Sequence, residues 1–297
     1  MSVSLLLAGV GIGLVFVACL SFALGPCETD PAWRGTITAV GAGIVLSALL
    51  DLVPTWLEMV ISIGESGLNL MVAFVSLSPT AGGIIRSALV QVIRLVGILI
   101  IFFLYLKSSA LPLAAEGDLQ RAPENSITGR PNGRRIWLTI PAATQADWIS
   151  AALVGLGLAM HNFWLGQVRV ALIAGDSNST PAVSLALGLV GTLGSVALIG
   201  LLAGPTLNRG AVVASALMIG MAVAPGGLWP QGRDTLLLGA FPITVATLVL
   251  PVALGRMLRR IQRDIGLGWR STIVVLAALL ITRLIDRLVL SMAQGAM

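Results

Sequence analysis

Residues 147–170 read DWISAALVGLGLAMHNFWLGQVRV. The stretch is apolar and long enough to cross a bilayer, which takes about 20 mostly apolar residues. The chain's only histidine, His161, lies near its middle, with Asn162 beside it and Gln167 further on. Polar side chains at bilayer depth are costly, and they are retained for function or for bonds to a neighbouring helix. Both readings of His161 stand at this point.

Composition extends the reading to the whole chain. Of 297 residues, 57% are hydrophobic and only 10% charged, against about 25% charged in soluble domains. Mean hydropathy is +0.97. Runs of about 20 apolar residues recur, and the period-2 alternation of a membrane barrel is missing. The expected fold class is an all-α polytopic membrane protein, one membrane domain with the lipid bilayer as its first partner. The pI near 10.5 does not point to nucleic acid, because the basic residues sit in the connections between apolar runs. Cys19 and Cys27 flank one helix end and form neither a disulfide framework nor a zinc cage.

Taken in order, the apolar runs predict eight transmembrane helices: 3–24, 36–59, 84–106, 147–170, 182–203, 210–224, 236–258 and 271–292. Residues 60–83 contain Gly64, Glu65, Gly67, Asn69, Ser76, Ser78 and Pro79. Lipid-facing backbone does not tolerate irregularity, so this piece is expected to be an outer loop lying along the interface or dipping back. The run 108–146 is polar, with EGDLQRAPENSITGRPNGRR at its heart, and is expected to be a flexible loop. It divides helices 1–3 (within 1–107) from helices 4–8 (within 147–297).

Charge orients the helices. Connections on one side contain Arg34, Lys107, Arg121, Arg130, Arg134, Arg135, Arg209, Arg256, Arg259, Arg260, Arg263 and Arg270, while those on the other contain only Arg233. The positive-inside rule then puts loop 108–146 in the cytoplasm and both termini outside it.

Two short stretches carry a family resemblance. Met160-His161-Asn162-Phe163-Trp164-Leu165-Gly166 resembles the fourth helix of ZIP-type divalent-metal transporters, whose pattern is H-N-x-P-E-G. His161, Asn162 and Gly166 match; Trp164 stands at the family's proline and Leu165 at its metal-binding glutamate. Residues 41–59, GAGIVLSALLDLVPTWLEM, resemble the family's second helix. There Leu52, Pro54 and Glu58 correspond, and Asp51 stands where a histidine is common. Val249-Leu250-Pro251 is similar to the L-L-P of the seventh helix. Eight helices, outer termini and a cytoplasmic loop after the third helix are also that family's layout. The resemblance implies a ZIP-like bundle and a metal site at mid-membrane.

The chemistry departs from that pattern. A divalent cation needs several oxygen, nitrogen or sulfur ligands to replace its water shell. The family draws them from its fourth, fifth and sixth helices, but residues 182–203 contain no His, Asp or Glu, and 210–224 offer only Ser215, Met218 and Met221. The reduced ligand set is His161, Asn162, Gln167 and Asp51. Arg94 and Arg283 fall near the middle of their helices, with Asp286 and Arg287 within a turn of Arg283. Such charges pair inside a bundle, so Asp51, Arg94, Arg283, Asp286 and Arg287 are expected to form a buried ion network. Arginine left near the centre would repel a divalent ion.

No Walker sequence, G-x-G-x-x-G, nucleophile elbow or C-x-x-C appears, so no enzyme is expected. Two readings remain. In the first, favoured here, the chain is a non-transporting relative that acts as a scaffold or accessory subunit, joined to other membrane subunits or to itself as a homodimer. In the second it moves a divalent metal through a reduced site around His161. A haem iron or chlorin magnesium on His161 is a third, lesser alternative.

Overall fold

The computed structural model describes residues 30–75, 79–110, 142–173, 196–198, 218–222, 225 and 236–295. Among them every regular element is helical. Five long helices are α1 (Pro31–Val75), α2 (Pro79–Ala110), α3 (Ala142–Ile173), α4 (Leu236–Asp264) and α5 (Trp269–Gly295). Shorter helical pieces occur at 196–198 and 218–221. Three segments are long and apolar enough to cross a membrane: Ala32–Ser66, Gly83–Lys107 and Ala240–Asp264. The eight helices expected are not reached among the described residues. Helix 3–24, most of loop 108–146 and most of helices 182–203 and 210–224 lie outside them.

One expectation is overturned. The outer loop at 60–83 is helical through Val75 and again from Pro79. The residues read as breakers are instead accommodated within helices. Gly64 lets α2 approach, since a Cβ there would stand 2.8 Å from Ile93 Cδ1. The Glu65 carboxylate is held by Arg86 of α2 at 2.9 Å. The Ser66 hydroxyl donates back to the Ser62 carbonyl at 2.9 Å, a local bond that satisfies the hydroxyl without leaving the helix. Pro54 removes one amide donor in mid-helix, a loss that membrane helices tolerate where neighbours and hydroxyls adjust. Thr55 Oγ1 bonds the Asp51 carbonyl beside it, at 3.0 Å.

The core is the seam between α1 and α4. Ala39, Ala42, Val45, Leu49, Leu52 and Trp56 recur at three- and four-residue steps along α1 and are all buried. That is the stripe an inward helical face requires. Ala246, Leu250, Ala253, Met257 and Ile261 do the same on α4, and Ala151, Val154 and Leu158 bring α3 to the same cluster.

Close approaches set the directions of the helices. Gly35 meets Ile265 and Asp264, and Gly41 meets Met257, so α1 and α4 run antiparallel. Gly43 meets the Val275 carbonyl and Ala278, and Asp51 meets Arg283 further along, so α1 and α5 run parallel. Gly97 meets Leu57 and Trp56, while Gly64 meets Ile93, so α1 and α2 form an antiparallel hairpin. Between α4 and α5 the chain turns within Ile265–Gly268. Gly266 takes φ 77° there, a left-handed conformation open to glycine at little cost. The buried Ser271 hydroxyl secures the turn, accepting from the Gly268 amide at 3.0 Å.

Candidate functional site

Helix α3 brings His161 and Asn162 into the interior, with only 5% and 3% of their surfaces exposed. The His161 ring lies 6.0 Å from that of Trp164, tilted by 45°. Asn162 Nδ2 donates to the carbonyl of Ile219 at 3.1 Å. That bond ties α3 to the helical piece at 218–221 and consumes part of the amide's capacity. Gln167 is half-buried further along α3.

Leu165, at the position where the ZIP-like pattern has its carboxylate, is buried against Trp164 and Ile285. The space that a metal-binding acid would occupy is therefore filled by apolar packing between α3 and α5. Among the described residues, no three of His, Cys, Asp and Glu converge on a point that could hold a metal ion.

Asp51 is the only acid of the four proposed ligands, and its Oδ1 accepts a hydrogen bond from Arg283 Nη1 of α5. The parallel packing of α1 and α5 produces this pair. Gly43 and the Val275 carbonyl bring the backbones together eight residues earlier on each helix, and equal rise along both helices then brings Asp51 level with Arg283. The pair is half-buried rather than buried, with side-chain exposures of 27% for Asp51 and 31% for Arg283.

Two arginines of the expected network, Arg94 and Arg287, do not gather there. Arg287 is exposed on α5, and Arg94 is exposed on α2. Asp286 lies on α5, but its side chain falls outside the described residues, as does that of Arg169 on α3. Arg94 misses the network because α2 packs on the other flank of α1, around Leu57 and Gly64.

A second ionic cluster escaped the sequence reading. Asp264, at the end of α4, has a side chain only 2% exposed. Its carboxylate accepts from Arg34 Nε at 2.8 Å and Nη2 at 3.2 Å, and from Arg263 Nε at 3.1 Å. Arg260 Nε is 3.7 Å away. The i, i+4 spacing of Arg260 and Asp264 was a local signal. Nothing local pointed to Arg34, 230 residues away in sequence. This cluster fastens the start of α1 to the end of α4, while Glu65 and Arg86 fasten the opposite end of the α1/α2 hairpin.

No family model matches this chain, and no curated protein and no solved structure matches it.

Proposed function

We propose that this chain is a multi-pass membrane protein that does not carry divalent metal and serves as a membrane-embedded scaffold or accessory subunit. The observation that carries the proposal is the bond between Asp51 and Arg283. A mid-membrane cation site needs net negative charge and several strong donors. Here the one carboxylate among the candidate ligands is already neutralised by a guanidinium, which stays charged in proteins. The packing of Leu165 and the bond from Asn162 to Ile219 act in the same direction.

The proposal includes an eight-span, ZIP-like bundle with both termini outside and loop 108–146 in the cytoplasm. Two features support this arrangement. Arg34 and the turn after α4, both assigned to the cytoplasmic side by charge, meet at one end of the bundle. The 60–83 region, assigned to the outer side, holds Glu65, which pairs with Arg86 at the opposite end.

The transporter reading keeps one point in its favour, the burial of His161 and Asn162 side by side. The two readings separate in a zinc titration of the purified full chain, with Leu165→Glu as comparison. On the scaffold reading the native chain shows no zinc-dependent rise in thermal stability. Leu165→Glu adds a carboxylate one turn from His161 on the same helical face and gains one. Saturable stabilisation of the native chain, lost in His161→Ala, contradicts the proposal.

A further inference from the structure

Helix α2 presents an anomaly. Its span Gly83–Lys107 is the most apolar of the three candidate crossings, yet its apolar stretch is almost entirely unburied. Val92, Leu95, Val96, Ile98, Leu99 and Phe103 are all about half exposed. Facing lipid, such a surface is unremarkable, because acyl chains are as apolar as leucine. Arg94 is the exception. It is exposed in the middle of this surface, about 16 Å along the helix from Gly83 and about 20 Å from Lys107 by helical rise. A guanidinium stays charged, and at such depth a charged group requires a partner, a wet cavity or a long reach to the headgroups.

The neighbouring helix has the complementary group. Glu58 of α1 is exposed, and the exposed positions Leu50, Pro54, Glu58 and Ser62 recur at four-residue steps along that helix. The hairpin contacts fix its depth. Gly97 meets Leu57, and Gly64 meets Ile93. Glu58 lies one residue beyond the first contact on α1, and Arg94 lies between the two contacts on α2. Both charges are therefore in one layer of the membrane, on adjacent helices of one hairpin. Among the described residues, neither makes an ion pair or hydrogen bond within its own chain.

We infer that the outer face of the α1/α2 hairpin is a homodimer interface, in which Glu58 of each copy pairs with Arg94 of the other. A twofold axis along the membrane normal keeps every residue at its own depth in both copies. Two groups in one layer of a single chain can thus meet across the axis twice, as an isologous interface requires. The occupant is a second copy because the surface carries both members of the pair and is its own charge complement. Apolar faces gain little from associating in lipid, whereas polar groups that bond across helices hold them together. The inference does not depend on whether the bundle carries metal.

The test is association of the full chain in liposomes, read by energy transfer between donor- and acceptor-labelled copies as the protein-to-lipid ratio is lowered. Native protein should give transfer above random proximity. Glu58→Arg alone places two arginine pairs at the interface, and Arg94→Glu alone places two acid pairs. Each should weaken self-association by about tenfold or more, the size of effect expected for interhelical polar bonds. Mixing the two variants should restore it, because the mixed dimer has one native pair and one inverted pair. Native transfer at the random level overturns the inference. So does a mixture no better than its components, including the case where both changes in one chain recover native behaviour, since that marks a pair within the chain. If the inverted chains fail to fold, Glu58→Gln and Arg94→Gln take their place. Each should weaken association, and unchanged transfer in both overturns the inference.

Discussion

Replacing Asp51 with alanine should leave Arg283 without its carboxylate in the part of the bundle where α1 and α5 meet. Removing one partner of a fully buried ion pair costs about 3–5 kcal/mol, mostly as the penalty on the charge left behind. Here both side chains keep roughly a third of their surface, so the residual charge is partly screened. The cost is then expected near 2–3 kcal/mol, between the buried and surface cases. At about 2–4 °C per kcal/mol for a large domain, the thermal midpoint in detergent should fall by about 4–12 °C. Glu65→Ala leaves behind an arginine that is 54% exposed and so well screened, and should melt closer to native. The double variant Asp51→Ala/Arg283→Leu removes the stranded charge with its partner. It should lose less than the sum of the single changes, with a coupling of about 1–3 kcal/mol. Strictly additive losses, or a native melt for Asp51→Ala, would refute the pairing as a source of stability.

Two further outcomes follow from packing and charge. Gly43→Val should be strongly destabilising, by about 1–3 kcal/mol or more, because its Cβ meets the Val275 carbonyl and Ala278 of α5. Gly83→Ala, with open space around the new methyl, should be neutral by the same melt. In a cysteine-free background, Ser126→Cys should be labelled only from the cytoplasmic side and Ser179→Cys only from outside. Labelling of both from one side contradicts the eight-span arrangement.

What the sequence disclosed was set by which forces are local. Apolar runs report burial in lipid or protein directly. Accordingly 84–106, 147–170, 236–258 and 271–292 fall within α2, α3, α4 and α5. The run 60–83 reads as a loop yet is largely helical, because glycine and serine have two meanings in a membrane. They can break a helix, or they can open its surface to a neighbour, as Gly64 does for Ile93. Periodicity within one segment does not distinguish the two. Asp51 and the arginines of the last helix were legible as partners by composition and depth, since buried charge needs countercharge. The choice of Arg283, and the exclusion of Arg94, depended on which flank of α1 each helix occupies. The Arg34–Asp264 bond had no sequence signal, because it joins the beginning of one helix to the end of another far along the chain.

Metal uptake by the reconstituted chain tests the central claim most directly. Liposomes containing the native protein, His161→Ala or Leu165→Glu are compared with protein-free liposomes for zinc or cadmium entry. With Asp51 held by Arg283 and Leu165 packed on Ile285, the native chain is predicted to match both His161→Ala and the protein-free control. Rapid, saturable uptake by the native chain that disappears in His161→Ala would contradict the account and make this bundle a transporter.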